Sequence, residues 1–369
     1  MTTTTTNAVP HVCTYLETIG NTPMVRLDRS VPTAAKHATI LCKLEMQNPG
    51  GSLKDRIALN IIEQAEVRGE ISPNKTTIVD FTSGNTGIGY AMVAASKGYK
   101  CIIVMPHIRP MLERYLICRQ FGAQVHLFNP AHGAPGALKY IKELCDSNPD
   151  KYWWANQLGN MDNPDVHAAT TGPEIWKQTG GVIDYFVHGI GTGGCIAGVG
   201  KYLKSMKPDV KIIALEPSES RVHIGAKPGP HGIVGWAPGV HTQFIEGFGT
   251  PAEELSDAPR DIVDEFGHVN TSDAVATALK LTREEGMMVG PSAGAAVNYA
   301  FQVASRPEAA GKTIVVVIPS HGIRYVAHPL WGGVSAEAAI ALPPGMAPCT
   351  DKELPIVSWD SDTYSPPAV

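Results

Sequence analysis

The strongest constraint on the fold of this chain is a rhythm that sets in near residue 76. A short β-rich run over 76–81 passes through a glycine turn into a stretch where Ile88, Ala91, Met92 and Ala95 recur at i, i+3, i+4 and i+7. Gly98 stops that helix, and an apolar strand over 101–105 follows. The pattern then predicts a helix over 111–121, a strand over 124–128 and a helix over 135–145, up to the run Tyr152–Ala155. It resumes with a strand over 183–187, a helix to about 206 and a strand over 211–215. A glycine- and proline-rich irregular stretch spans 216–249. Beyond it lie a helix over 271–285, a strand over 287–289, a helix from Ser292 and a strand over 313–318. Strands separated by helices pair in parallel, because each connection must cross the sheet. The fold class is therefore α/β, with two units: one centred on 60–160 and one after it. No internal repeat of fixed period is present.

Composition narrows the function. With 369 residues, 43% of them hydrophobic and 18% charged, the chain can bury a core large enough for two domains. A formal net charge of -5 gives no basic footprint for nucleic acid and no polybasic membrane anchor. No apolar run is long enough to span a bilayer. The seven cysteines are scattered, without C-x-x-C pairs, which predicts free thiols in a reducing compartment and no metal framework. The opening Met-Thr-Thr-Thr-Thr-Thr lacks the apolar centre of a signal peptide, so the expected setting is the cytoplasm. The proline-rich tail over 342–369 reads as irregular.

Four turns carry candidate chemistry. Gly189-Ile190-Gly191-Thr192-Gly193-Gly194 follows a strand, opens a helix and matches G-x-G-x-x-G, with Glu216 near the place of a ribose-binding acid. That pattern admits a dinucleotide-dependent dehydrogenase. A dinucleotide site normally opens its domain, however, and this loop comes after several βα units. What the glycines supply more generally is a phosphate cradle at a helix N-terminus. Thr82-Ser83-Gly84-Asn85-Thr86-Gly87 gathers hydroxyls, an amide and helix N–H groups suited to a carboxylate, or else simply caps a helix. Gly290-Pro291-Ser292 places a hydroxyl at the head of a small-residue helix, where plain capping is the bland alternative. Asn48-Pro49-Gly50-Gly51-Ser52-Leu53-Lys54 sets a lysine after a tight turn, at the head of an apolar run. Taken alone it reads as a helix capped at Ser52 with a solvated lysine.

The loops at Lys54, 82–87 and 191–194 occur in an order and at separations that resemble cysteine synthase and the catalytic core of cystathionine β-synthase. These are pyridoxal 5′-phosphate (PLP) enzymes of fold type II. The similarity also takes in Ile19-Gly20-Asn21-Thr22-Pro23, Thr170-Thr171-Gly172-Pro173-Glu174-Ile175-Trp176 and Lys227-Pro228-Gly229-Pro230-His231, and runs from about Tyr15 to Tyr325.

The resemblance implies two domains, each with a mostly parallel sheet flanked by helices, and PLP in the cleft between them. A larger cofactor-binding domain would comprise 15–55 with 161–341, and a smaller mobile one 56–160. Residues 1–14 would form a flexible tip. Lys54 would carry PLP as a Schiff base and act as acid and base at the substrate Cα. Asn85 would bond the cofactor's 3′-oxygen, and Gly191, Thr192, Gly193, Gly194 and Cys195 its phosphate. Ser292 would face the pyridine nitrogen. Thr82, Ser83, Asn85, Thr86 and Gln157 would hold the substrate carboxylate. A neutral serine at the ring nitrogen makes a weaker electron sink than a carboxylate partner would allow, which suits β-replacement better than transamination. The implied reaction converts an activated serine, of O-acetylserine or O-phosphoserine type, through an α-aminoacrylate to a product with a nucleophile such as sulfide. The family is typically homodimeric. The other readings are a cystathionine-forming or β-eliminating relative, a catalytically silent PLP-binding regulator, and the dehydrogenase.

Several positions depart from the family pattern. Cys195 closes the phosphate loop where a threonine is usual, and a thiol is a weak donor. Met111 replaces a small polar residue near the substrate entrance, and Met161 stands in a run that is usually polar and small. Gly235-Trp236-Ala237-Pro238-Gly239 puts an indole on the side from which the nucleophile arrives, so the acceptor is expected either to have changed or to remain sulfide.

Overall fold

In the computed structural model the crossover rhythm resolves into two separate sheets. The structure describes residues 13–82, 84–108, 111–236, 242–245 and 262–334. The first sheet has six strands in the order β1 (Met24–Arg26), β2 (Thr39–Lys43), β10 (Thr313–Val317), β7 (Tyr185–Gly189), β8 (Lys211–Pro217) and β9 (Glu265–Val269). Only β1 runs antiparallel to its neighbour. The second is four-stranded and fully parallel, in the order β5 (Gln124–Phe128), β4 (Lys100–Pro106), β3 (Thr77–Phe81) and β6 (Tyr152–Trp154).

Helices cover both sheets, which is why the inner strands read as continuous apolar runs rather than alternating ones. All five residues of β10 are buried, and so are the last four of β7. Around the second sheet pack α1 (Lys54–Val67), α2 (Asn85–Lys97), α3 (Leu112–Gln120) and α4 (Gly133–Ser147). In α4, Ala137 and Ile141 face the core, while Lys139–Glu143 and Lys142–Asp146 pairs line the solvent side. Around the first sheet lie α5 (Asp162–Val166), α6 (Gly172–Gln178), α7 (Gly194–Met206), α8 (Thr271–Glu285) and α9 (Pro291–Ala304). A Cβ at Gly294 would strike the Ala274 carbonyl and Ala278, so the small residue permits the close approach of α8 and α9.

The structure differs from the sequence reading in a few places. The strand expected at 287–289 is no strand: Val289 makes one isolated bridge to His321. Only a few residues separate α8 from Pro291 at the start of α9, and Pro291 has no N–H for a ladder. Strands β1, β2 and β6 have no counterpart in the sequence expectations, nor does β9, whose interior Gly267 weakens its pattern. The same holds for the continuous turn of α5, a π-helical His167–Thr171 and α6, where Pro164, Gly172 and Pro173 argue locally against a helix. The tail over 342–369 and most of the tip over 1–14 lie outside the described residues.

Candidate active site

The C-terminal ends of β3, β7 and β10 meet at one cleft, where open parallel sheets place their ligands. The space at this cleft, counting the part open to solvent, is about 650 Å³. A second cavity shares Lys54, Asn85, Gly191 and Trp236 with it and extends to His188, Ser292 and Ser320.

Lys54 is the first residue of α1, and its turn is anchored from several directions. Gly51 sits at φ 81°, which glycine alone adopts without strain. The Gly50 N–H donates to Asp55 Oδ2 at 2.6 Å, and the Leu53 N–H to the Pro319 carbonyl at 2.8 Å. The expected cap at Ser52 takes a different form. Ser52 Oγ accepts the Lys54 N–H at 3.2 Å, but Leu53 occupies the cap position. Behind the turn, the Arg56 guanidinium is held by Glu45 at 2.7 Å and Glu174 at 2.7 Å, and Lys43 meets Glu174 at 2.6 Å. Two cations and two anions balance in this buried cluster. Part of Lys54 opens to the cleft, yet dense protein surrounds it. Burial lowers its amine to about 8, with a smaller opposing influence from Cys195.

Asn85 opens α2. Its Nδ2 donates to the Tyr325 hydroxyl at 3.2 Å, and Tyr325 bonds Ser320 Oγ at 2.7 Å. Asn85 Oδ1 is buried without a hydrogen-bond partner among the described residues. The Thr86 hydroxyl donates to Gln157 Oε1 at 2.7 Å, and Gln157 Nε2 donates to the Phe81 carbonyl at 2.7 Å. Thr82 Oγ1 accepts the Gly84 N–H at 3.0 Å. Thr82, Asn85, Thr86 and Gln157 all line the cleft. Ser83 lies outside the described residues.

Gly191 and Thr192 line the same cleft, and Gly193 at φ 88° turns the chain into α7, of which Gly194 is the first residue. Cys195 is buried one step further along the helix and lines neither cavity; burial pushes its thiol up to about 12. Ser292 is the second residue of α9, buried and facing the second cavity, and Gly290 rather than Ser292 takes the cap position.

The positions that depart from the family pattern divide. Gly235 and Trp236 line both cavities. Trp236 is a core residue as well, packed with Val187 and Ile233, and its indole covers Gly189 so closely that a Cβ there would collide with it. Met111 is not brought to the cleft. It is buried beside Ile108, Tyr115 and Leu127, and its Sδ accepts from Arg114 at 3.7 Å. Met161 is exposed, and residues 237–239 lie outside the description.

Arg114, Tyr325 and His188 have no assigned role in the sequence analysis, yet all three line these cavities. The Arg114 guanidinium stacks over the Tyr325 ring at 4.6 Å. Burial, helped by the charge of Lys54, lowers His188 to about 3, so the imidazole is neutral. A single arginine in a helix and a single histidine in an apolar strand carry no periodic signal. Glu216, the candidate ribose ligand, is buried and accepts from both the N–H and Nδ1 of His223 at 2.9 Å. Glu216 lines neither cavity, which leaves the dinucleotide reading without its ribose ligand.

Among the described residues no carboxylate lines either cavity, and the charged groups there are Lys54 and Arg114. A low-dielectric cleft with two cations and a helix N-terminus suits a ligand carrying a phosphate and a carboxylate. A lysine amine lowered to about 8 is poised to react with an aldehyde. The residues present fit PLP.

Comparison with known proteins agrees. The family described as "Pyridoxal-phosphate dependent enzyme" matches residues 15–320. A cysteine synthase of Staphylococcus aureus is 43% identical over 314 residues, covering 85% of this chain and 95% of its own. The crystal structure of O-acetyl serine sulfhydrylase isoform 3 from Entamoeba histolytica superposes with a TM-score of 0.78 at 39% identity, over 89% of this chain and 94% of that one. O-ureido-L-serine synthase does so with a TM-score of 0.80 at 36% identity, over 90% and 100%. The chain therefore belongs to the pyridoxal-phosphate dependent enzymes, as a member of the cysteine synthase type.

Proposed function

We propose that this enzyme replaces the β-substituent of an activated L-serine, of the O-acetylserine type, with an incoming nucleophile. The observation that carries the reading is the Lys54 amine, lowered to about 8, in one cleft with a glycine loop on one side and the Thr82–Thr86 turn on the other. Lys54 would hold PLP through its amine, Thr192 and the α7 N-terminus its phosphate, Asn85 its ring oxygen, and Ser292 its ring nitrogen. Bound there, the cofactor would supply an aldehyde that captures the donor's amine and a ring that draws electrons from its Cα.

The protein's own groups do the rest. Thr82, Asn85 and Thr86, with the backbone N–H groups at the head of α2, orient the donor carboxylate. Lys54 Nζ, neutral above about pH 8, takes the Cα proton as the Cβ–O bond breaks and acetate leaves. It returns that proton after the nucleophile has bonded to Cβ. Buried walls at Trp236 and Tyr325 keep bulk water from competing with the acceptor. Ser292, a hydroxyl rather than a carboxylate, favours coupling proton loss to departure of the β-group.

Sulfide is the acceptor suggested by the cysteine synthase and sulfhydrylase relatives. A changed acceptor is the second reading. It is favoured by the buried indole of Trp236 in both cavities and by a relative whose name specifies O-ureido-L-serine as product. Steady-state assays with O-acetylserine or O-phosphoserine against sulfide, homocysteine and amine acceptors test the proposal. Rapid cysteine formation with sulfide alone refutes the changed acceptor. No β-replacement with any donor refutes the reading itself.

From the resemblance we further infer a mobile smaller domain over 56–160, a homodimer and a cytoplasmic setting. The described cysteines, all free, are in keeping with the last. Sedimentation of the loaded protein tests the dimer, and cell fractionation the compartment.

A further inference from the structure

One side chain outside the cleft ties its two anion sites together. Asn163 lies just after the first residue of α5 and is fully buried. Its Nδ2 carries two hydrogens, and both are spent. One goes to the Gln157 carbonyl at 2.7 Å and the other to Thr192 Oγ1 at 3.0 Å. Thr192 Oγ1 also accepts the Gly194 N–H at 3.4 Å. A hydroxyl has two lone pairs and one hydrogen. With these donors facing its lone pairs and no protein acceptor for its hydrogen among the described residues, the hydroxyl is left to donate toward the cleft that Thr192 lines.

The Thr192 carbonyl is fixed in turn. The Thr242 hydroxyl donates to it, and the Thr242 N–H donates to His223 Nε2 at 3.3 Å. Glu216 accepts from the other ring nitrogen of His223 at 2.9 Å. At the far side, Gln157 is the partner of Thr86 in the carboxylate turn. Gly194 leaves the room that Asn163 needs, since a Cβ there would overlap Asn163 Oδ1. That oxygen is buried without a partner among the described residues. A buried amide that leaves its acceptor unpaired incurs a cost, which the fixed donors offset.

We infer that Asn163 is a positioning residue that presets the Thr192 hydroxyl as a donor to the cofactor phosphate, while its second hydrogen holds Gln157 of the carboxylate turn. The inference rests on the reading that the Gly191–Gly194 loop binds the PLP phosphate. Asn163 itself touches no ligand.

A double-mutant cycle on the loaded enzyme tests this, with the PLP dissociation constant and the ³¹P resonance of the bound phosphate as readouts. Asn163→Ala in the wild-type background is expected to weaken PLP by about tenfold, the loss of one well-aligned hydrogen bond to a charged group, and to move the resonance. In a Thr192→Val background the same substitution is expected to cost little, because the hydroxyl through which it acts is gone. Equal costs in both backgrounds, or no change in PLP affinity, overturn the inference. Should Asn163→Ala not fold, Asn163→Leu serves in the same cycle. It keeps much of the shape and removes both donated hydrogens without adding a charge, so it predicts the same loss and the same dependence on Thr192. If wild type itself binds no PLP, the functional reading fails and this inference falls with it, an outcome distinct from PLP bound equally well by wild type and Asn163→Ala.

Discussion

Asn85 Nδ2 donates to the Tyr325 hydroxyl across 3.2 Å, which joins the head of α2 to the segment that follows β10. The bond links residues 240 positions apart, and Tyr325 passes it on to Ser320 Oγ at 2.7 Å. Tyr325→Phe keeps the ring under Arg114 but removes the hydroxyl. Each bond is worth about 1 kcal/mol, so PLP affinity and donor KM are expected to worsen several-fold while the fold is retained. Equilibrium PLP titration and steady-state kinetics check this.

Lys54 gives a pH signature with a definite sign. Its folded value, about 8, lies below the ordinary lysine value of 10.5, because burial disfavours the charged amine. The neutral, nucleophilic form therefore gains as pH rises, and PLP capture by the apo-protein is expected to climb with pH and level off above about 8. Stability follows the same direction. The contribution of this group is present above the ordinary value and is lost as pH falls through about 8. Lys54→Met removes that dependence and abolishes turnover, as pH-dependent melting and assays of the two proteins would show.

Arg56 is clamped between Glu45 and Glu174, with almost no exposure. Removing Glu45 leaves a buried cation short of a partner. Glu45→Ala is expected to destabilise the protein by about 3–5 kcal/mol in chemical denaturation. Glu174 adds an acid limb. Burial pushes its carboxyl up, but the hydrogen bonds and charges of Arg56 and Lys43 outweigh that and bring it to about 2. The stabilisation is present above the ordinary carboxylate range and is lost as pH falls toward 2. Glu174→Gln is expected to flatten that limb.

Gly189 and Trp236 are complementary in shape. Gly189→Ala pushes a methyl into the indole and is expected to cost about 1–3 kcal/mol. Trp236→Leu is expected to recover much of it, because the two residues share one space. The single Trp236→Leu variant opens the wall of both cavities and is expected to raise the rate with homocysteine relative to sulfide. Thermal melts of all three variants and competition between acceptors check these outcomes.

The inner strands were legible because both of their faces are covered. The Thr-Ile-Val-Val-Val of β10 and the Cys-Ile-Ile-Val-Met run in β4 leave no alternative to a buried parallel strand. Helix α8 was legible to the residue: Asn270 caps Asp273 at one end and Gly286 closes the other at φ 72°. Strand β9 was not, since an edge strand with a central glycine takes its stability from β8 rather than from its own pattern. Segment 162–178 is helical against its prolines, because α7 packs on it and Arg56 bonds Thr170 at 3.1 Å.

By itself the sequence determined the alternation of strands and helices, the PLP family, and the residues of the turns at Lys54, Asn85, Gly191 and Ser292, all of which are local patterns. Only the tertiary structure decided which groups share the cleft. It brought in Arg114, His188 and Tyr325, turned Met111 away, enclosed Glu216 with His223 and pressed Trp236 onto Gly189. The physical reason is that burial, hydrogen bonding and the shift of Lys54 to about 8 depend on neighbours far away in the chain. Those neighbours meet only when the ends of β3, β7 and β10 converge.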